Sequence, residues 1–329
     1  MNAPPSRRLL FDGLNVSRWS REVFVAMKDG DVTAANCTCS IWDDLASTVA
    51  NIGRLRKLVR ENDDVVTLVE TTGDLDRLAE SDDRVGIIVG FQNLAAVEGS
   101  LANIDIFGRL GLRFAQLTYN TQNFIGSGCY ESRDTGLTDF GRDIVAELNV
   151  HGIVIDLSHV GRRTAADAMD ASEAPVVFSH VCPAGLLDHP RNRTDEELAR
   201  VAGTGGVVGV TPFAWFLRGG AAATVDDYLD AVEYTINVAG EDHTAIGTDF
   251  TQGHDRAFLE WIVRDKGDGR VLVAQPLDEL ELVMARGFER IEDLRRLPDE
   301  MRRRGWGDAR IEKVLWGNWR RVVGKVWKA

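Results

Sequence analysis

Two short stretches of this chain end in the same dipeptide. Gly152-Ile-Val-Ile-Asp-Leu-Ser-His159 and Val176-Val-Phe-Ser-His180 are rich in Val and Ile, are bounded by Gly or Pro, and each closes on Ser-His. A run of that composition reads as a strand buried on both faces. One histidine at the end of such a strand has a plain explanation as a satisfied core residue. Two on successive parallel strands open into one mouth, where barrel enzymes keep their chemistry. Neutral imidazole binds Zn²⁺ well and also serves as an acid or base, so His159 and His180 are the candidate centre of a site.

The elements that must position them alternate along the chain. Strand-like runs fall at Thr33–Ile41, Val65–Val69, Val85–Gly90, Arg113–Leu117, Ile153–Leu157, Pro175–Phe178, Val207–Val210 and Thr244–Gly247. Helix-like segments separate most of them. Asp43–Arg60 is amphipathic, Thr138-Asp-Phe-Gly opens a helix that ends near Val150, and Thr194-Asp-Glu-Glu has capping-box spacing. Strand and helix in alternation mean parallel pairing with right-handed crossovers, and eight runs suit a closed (β/α)8 barrel. No long Ser/Gly/Pro linker divides the chain, so residues 1–329 read as a single domain. The Arg-rich tail from about Arg286 reads as terminal helices, with Gly305-Trp-Gly-Asp as a turn between two of them.

Composition narrows the partners. The chain has 329 residues, 44% of them hydrophobic, and a formal charge of −13. That charge repels nucleic acid and anionic membranes, which leaves a small-molecule substrate as the expected partner. The N-terminal Arg7-Arg8 pair lacks a following apolar core of signal-peptide length, and no run is long enough to cross a bilayer. Cys37, Cys39, Cys129 and Cys182 form neither a CxxC pair nor a disulfide framework. A reducing, cytoplasmic setting is the expectation.

Six motifs occur in one order: Ile155-Asp-Leu-Ser-His159, Val177-Phe-Ser-His180, His189-Pro-Arg-Asn192, Gly205-Gly-Val-Val-Gly-Val210, Ile246-Gly-Thr-Asp249-Phe and Gly317-Asn318. In that order and spacing the chain resembles the membrane (renal) dipeptidase family, the M19-type peptidases of the amidohydrolase superfamily, from about Asp12 to Val326. The resemblance implies a (β/α)8 barrel, a metal centre at the strand ends, hydrolysis of a dipeptide or related amide, and a homodimer. It places the two histidine ligands of one metal on His159 and His180. The proton-handling Asp falls on Asp249, and the Arg that grips the substrate carboxylate falls on Arg191, whose fork suits bidentate binding.

The departures from the family pattern cluster at the same site. Where the family has Asp-Gly-His-Asn-Asp, this chain has Asp12-Gly-Leu14-Asn15-Val16, and neither Leu nor Val coordinates a metal. Gln92 stands where the family has its bridging glutamate, a weaker and uncharged ligand, while Glu98 falls in a loop or helix. The family's Leu-Thr-His-Asn reads Leu117-Thr-Tyr119-Asn120, so Tyr119 is left to donate to an oxyanion and Asn120 to contact substrate. Three outcomes follow. One divalent metal, Zn²⁺ by preference, is held by His159 and His180 with help from Gln92, Asp249 or water; or a metal-free enzyme uses His159, His180, Asp249 and Tyr119; or a non-catalytic scaffold binds a small molecule.

The remaining candidates are weaker. His151 and His243 read as solvated, His254 as a residue of the mouth, and His189 as a loop residue beside Arg191 or a second residue of the mouth. Asp156 alternates away from the face of His159, as an outer-sphere or structural acid. The polar, glycine-rich loop from Asn120 to Glu131 is the expected substrate lid. Within it Cys129 is either a nucleophile without a visible base or an ordinary loop thiol. Gly203-Thr-Gly-Gly lacks the Lys-Ser/Thr of a phosphate loop. Most of the eight tryptophans, Trp42, Trp215, Trp261 and Trp319 among them, are expected in the core or at an interface.

Overall fold

The Val- and Ile-rich runs form strands that lie side by side, all parallel. A computed structural model describes residues 9–80, 83–273, 277–279 and 281–328; Arg7 and Arg8 lie outside the described residues. The strands are β1 (Phe11–Asn15), β2 (Ala34–Ser40), β3 (Val66–Leu68), β4 (Val85–Phe91), β5 (Leu112–Gln116), β6 (Val154–Asp156), β7 (Val176–Val181), β8 (Val207–Val210) and β9 (Thr244–Ile246). Eight of them pair in the order β1-β2-β4-β5-β6-β7-β8-β9. The ring closes just past β9, where Asp249 donates its backbone N–H to the Leu14 carbonyl (3.0 Å) and Val16 donates to that of Phe250 (2.9 Å). With helices between the strands, this is the (β/α)8 barrel expected from the alternation.

One strand assignment changes. Val65–Val69 is a strand, but β3 lies outside the ring: it pairs with Val85–Ile87 of β4, while β5 takes the same edge of β4 from Val89 onward. The eighth barrel strand is instead β1, whose Phe-Asp-Gly-Leu-Asn sequence has only two large apolar residues.

The helices begin where side-chain caps allow. The Asp44 carboxylate accepts from the Ser47 N–H to open helix Leu45–Glu61, and the Thr138 hydroxyl accepts from Gly141 to open Asp139–His151. Thr194 and Glu197 form the expected capping box of helix Asp195–Gly203. Each such cap contributes about 1 kcal/mol. The tail forms short helices at Leu297–Arg303 and Asp308–Glu312 with Gly305 in the left-handed region between them, then helix Asn318–Val326.

Two layers of apolar packing result. The larger lies between the barrel and its helices. The inner one takes one residue from each barrel strand (Phe11, Ala34, Ile88, Phe114, Val154, Val177, Val207 and Ala245) and closes on Trp316, Trp319 and Val323 of the tail. The Trp319 indole is fully buried, stacks on Phe11 at 5.7 Å and donates to the Ile246 carbonyl at 2.8 Å. Gly13 leaves the room for it, because a Cβ there would overlap the indole ring. Among the described residues no helix is long and apolar enough to cross a membrane.

Candidate active site

β6 ends at Asp156, and the turn through Leu157 and Ser158 carries His159 to the cavity at the strand ends. The Asp156 carboxylate is buried and takes four hydrogen bonds: from the Ser158 N–H (3.0 Å) and hydroxyl (2.6 Å), and from the Ser179 N–H (2.9 Å) and hydroxyl (2.5 Å). It therefore clasps the end of β6 to β7. Burial pushes its pKa up in spite of these donors. The Ser179 hydroxyl, having donated to Asp156, accepts from the Nδ1–H of His180 at 2.7 Å. His159 donates its Nδ1–H to the Asn120 Oδ1 at 2.7 Å. Both rings thus carry their proton on Nδ1, and their Nε2 atoms face each other at 2.9 Å. Burial, reinforced by the Arg191 charge, holds both pKa values well below the usual imidazole range, so both rings are neutral. Two facing lone pairs repel, and a cation between them would relieve that repulsion.

Arg191 and Arg193 sit beneath this pair. Arg193 is fully buried and donates to the carbonyls of Leu157 (2.9 Å), Ser158 (2.7 Å) and Val160 (2.7 Å), which fixes the turn carrying His159. Its charge is balanced by Glu197 at 3.2 Å. Arg193 stands outside the motifs named above, and its i,i+4 spacing to the capping-box Glu197 is the mark it carries in the sequence. Arg191, also buried, donates to the carbonyls of Ser158 and His180, leaving its Nε–H without a partner, and its guanidinium lies 5.3 Å from the Phe216 ring centroid.

Asp249 lines the same cavity, in the left-handed region at φ 58°. Burial raises its pKa to about 7, against the lowering effect of Arg191 and with help from the Asp12 and Asp156 charges. Its backbone is placed by Asp12, a second buried carboxylate with four donors: Thr248 N–H and hydroxyl (both 2.7 Å), Asn15 Nδ2 (3.2 Å) and Leu14 N–H (3.3 Å). Asp12 does at β1 and β9 what Asp156 does at β6 and β7. Tyr119 stacks on His159 at 4.1 Å, and burial, then the Asp249 charge, raises its phenol pKa so that it stays a donor. Gln92 lines the cavity and donates Nε2 to the Thr38 hydroxyl at 3.1 Å. Asn120, expected against the substrate, also lines the cavity, but its Oδ1 is taken by His159 and by the Cys129 thiol at 3.7 Å.

Some expected parts move. The loop from Asn120 to Glu131, expected as a lid, is bonded to the barrel as a wall of the cavity: the Cys129 N–H donates to the His159 carbonyl (2.9 Å), Gly161 to that of Ser127 (2.8 Å), and Ser127 to the Thr164 hydroxyl (3.0 Å). The cavity, about 90 Å³, is bordered on the other side by Phe258 and Ile262 of helix Arg256–Ile262 and by Val273, Glu281 and Leu282. His189 lines the cavity beside Phe216, whereas His254 stacks on Phe258 and bonds the Val16 carbonyl at 2.9 Å. His243 bonds the Gly206 carbonyl, and His151 lies beside Glu147, away from the site. Cys129 has no base beside it, and burial raises its pKa. Glu98 caps helix Leu45–Glu61 through the Leu45 N–H.

A two-metal centre does not fit these residues. Leu14 and Val16 are buried hydrocarbon, Val16 packs with Ile41 and Tyr119, and no group of three His, Cys, Asp or Glu poised to hold a metal exists among the described residues. The donor set suits one divalent cation at most. The two Nε2 lone pairs converge on one point, although bound Zn²⁺ would set them about 3.3 Å apart, a few tenths of an ångström wider than they stand.

The profile of the membrane dipeptidase family, peptidase family M19, matches residues 8–274. A dipeptidase of Claviceps purpurea is 31% identical over 235 residues, covering 70% of this chain and 54% of that protein. An uncharacterised dipeptidase of Schizosaccharomyces pombe is 34% identical over 209 residues, covering 62% and 50%. The chain spans about half the length of these two fungal relatives. An amidohydrolase from Pseudomonas aeruginosa superposes with a TM-score of 0.93 at 45% identity, covering 97% of this chain and 96% of that one. A dipeptidase of family M19 superposes with a TM-score of 0.82 at 21% identity and shares the fold. With the barrel, the His-bearing strand ends and the profile in agreement, the chain belongs to the membrane dipeptidase family.

Proposed function

We propose that the protein hydrolyses an amide bond in a small carboxylate-bearing substrate, a dipeptide or N-acyl amino acid, with at most one bound metal. The observation that carries this reading is the pair of neutral imidazoles whose protons are committed to Asn120 and Ser179 and whose Nε2 lone pairs converge. His159 and His180 would hold the metal, with Gln92 or water completing its shell, and the metal would polarise the scissile carbonyl and acidify water. The chain's own groups supply the rest. Asp249, ionised above about pH 7, takes the proton of the attacking water and returns it to the departing amine nitrogen as the C–N bond breaks. Tyr119 donates its O–H to the developing oxyanion, and Arg191 offers its unpaired Nε–H to the substrate carboxylate. The named relatives are dipeptidases and an amidohydrolase, which agrees with this class of reaction.

Metal analysis of protein purified without chelator, beside a panel of dipeptides and N-acyl amino acids, tests the proposal. No more than one divalent ion per chain and turnover abolished in His159→Ala are expected. Two tightly bound ions would show that Leu14 and Val16 are not the loss they look like. Stabilisation by ligands without any turnover would leave a binding protein.

A further inference from the structure

The cavity has two apolar ends, and they differ in what surrounds them. Ring and side-chain contacts run in one line through the site. Phe213 packs on Phe216 (4.9 Å between centroids), and Phe216 lies against His189 (5.0 Å) and Arg191 (5.3 Å). Arg191 touches the backbone of His180, His180 meets His159, and His159 stacks under Tyr119. Tyr119 then packs with Val16 and Ile41, against which Phe258 and Ile262 lie. A carboxylate held by Arg191 lies toward the Phe216 end. If Arg191 holds the carboxylate as proposed, the acyl half of the substrate, beyond the scissile carbonyl, would reach the face made by Val16, Ile41, Phe258 and Ile262.

None of the four side chains of that face carries a charge or a hydrogen-bond acceptor, and a ring face such as that of Phe258 attracts a cation far less than a carboxylate does. A free dipeptide carries its α-ammonium one carbon from the scissile carbonyl, so the ammonium would be stripped of water against hydrocarbon. Gln92 is uncharged, and Asp249 is already engaged with the proton of the reaction. Glu281, the other carboxylate lining the cavity, is exposed at the rim on the Trp215 side, where the Trp215 indole donates to its carbonyl at 3.1 Å. We infer that the substrate is an N-acylated amino acid with an uncharged, apolar acyl group, and that the Val16–Ile41–Phe258–Ile262 face excludes free dipeptides by leaving their α-ammonium without a partner. This rests on the hydrolytic reading above and selects between the two substrate classes it leaves open. Val16, Ile41 and Phe258 also border a larger cleft of about 520 Å³ on their other side, so the Phe258 ring is a partition that limits acyl length.

The test compares N-propionyl-leucine with alanyl-leucine, in both configurations of leucine, on the enzyme with the metal content it carries. The two differ by one ammonium group. At least tenfold higher kcat/KM for the propionyl compound is expected. Equal or better turnover of alanyl-leucine overturns the inference while leaving the hydrolase standing, and turnover of neither, nor of other carboxylate-bearing amides, overturns both. Phe258→Glu and Ile262→Glu, at two half-buried positions, each place a carboxylate on the face and should narrow the preference at least tenfold. If both variants fold, by an unchanged thermal transition, and the preference does not move, the face is not the selector. Phe258→Ala should move the optimum to longer acyl chains, and an unchanged optimum rejects the partition.

Discussion

In the proposed mechanism the reaction turns on the state of single residues, above all Asp249. A base must be unprotonated to work, and burial has moved this one up to about 7. kcat/KM should therefore fall about tenfold for each pH unit below 7 and level off above it, a profile that steady-state assays across pH 5–9 would show. Asp249→Asn should lower kcat about a hundred- to ten-thousand-fold with its thermal transition unchanged. Arg193 acts differently, because it touches no part of the cavity and holds three carbonyls of the His159 turn. Arg193→Ala leaves those buried carbonyls without their donor, while Glu197, partly exposed, keeps Thr194 and Arg162; denaturant unfolding should register a loss of about 3 kcal/mol or more. The chemical residues could be read in the sequence because each stands in a short motif at a strand end. Asn120, expected against the substrate, lines the cavity and also grips His159 through its Oδ1, a pairing that only the fold shows, at 2.7 Å.

Among the elements, the seam between β1 and β9 depends on a carboxylate, Asp12, whose pKa is raised to about 6 by burial. The folded protein binds that proton more tightly than the unfolded chain, where the group titrates near 3.8. Its contribution to stability is thus fully present below about pH 4 and is lost as pH rises through 6, by up to about 3 kcal/mol. Asp12→Asn, neutral throughout, should lack this slope. Unfolding free energies of the two proteins measured at pH 4 and pH 7 should converge or cross by that amount, and parallel curves would contradict it. The same seam shows why β1 escaped a reading by composition: its polar residues, Asp12 and Asn15, are buried and hydrogen-bonded to each other and to Thr248. β3 was counted in the ring for the converse reason, since a short strand covering half an edge of β4 is as apolar as one that closes a barrel. The cavity-bordering residues Phe258, Ile262, Val273 and Leu282 follow no periodic pattern in the sequence. Near them, the Thr121 hydroxyl donates to Asp265 (2.8 Å) and the Ala214 N–H to the Val283 carbonyl (2.9 Å), both contacts of long range in sequence.

Across the whole molecule, the inner core is completed by the tail. Trp319 touches Phe11 and Phe114 and bonds the carbonyl of Ile246, so one side chain joins β1, β5 and β9. Trp319→Ala opens a cavity that the barrel strands are too constrained to fill, and it should cost about 3–5 kcal/mol in equilibrium unfolding. Conservative Trp319→Phe should recover most of that but not the bond to Ile246. The position of this residue also bears on time. Phe11 and Trp319 are roughly 300 residues apart, so their contact closes one of the longest loops the chain can make, and contacts of that kind form late. While the protein is being synthesised, the barrel strands must wait with their inward faces uncovered until residues 316–326 arrive. In refolding, burial of the Trp319 indole should lag behind the appearance of secondary structure. The interval between the two is when the exposed inner faces of the strands are most open to aggregation and to chaperones.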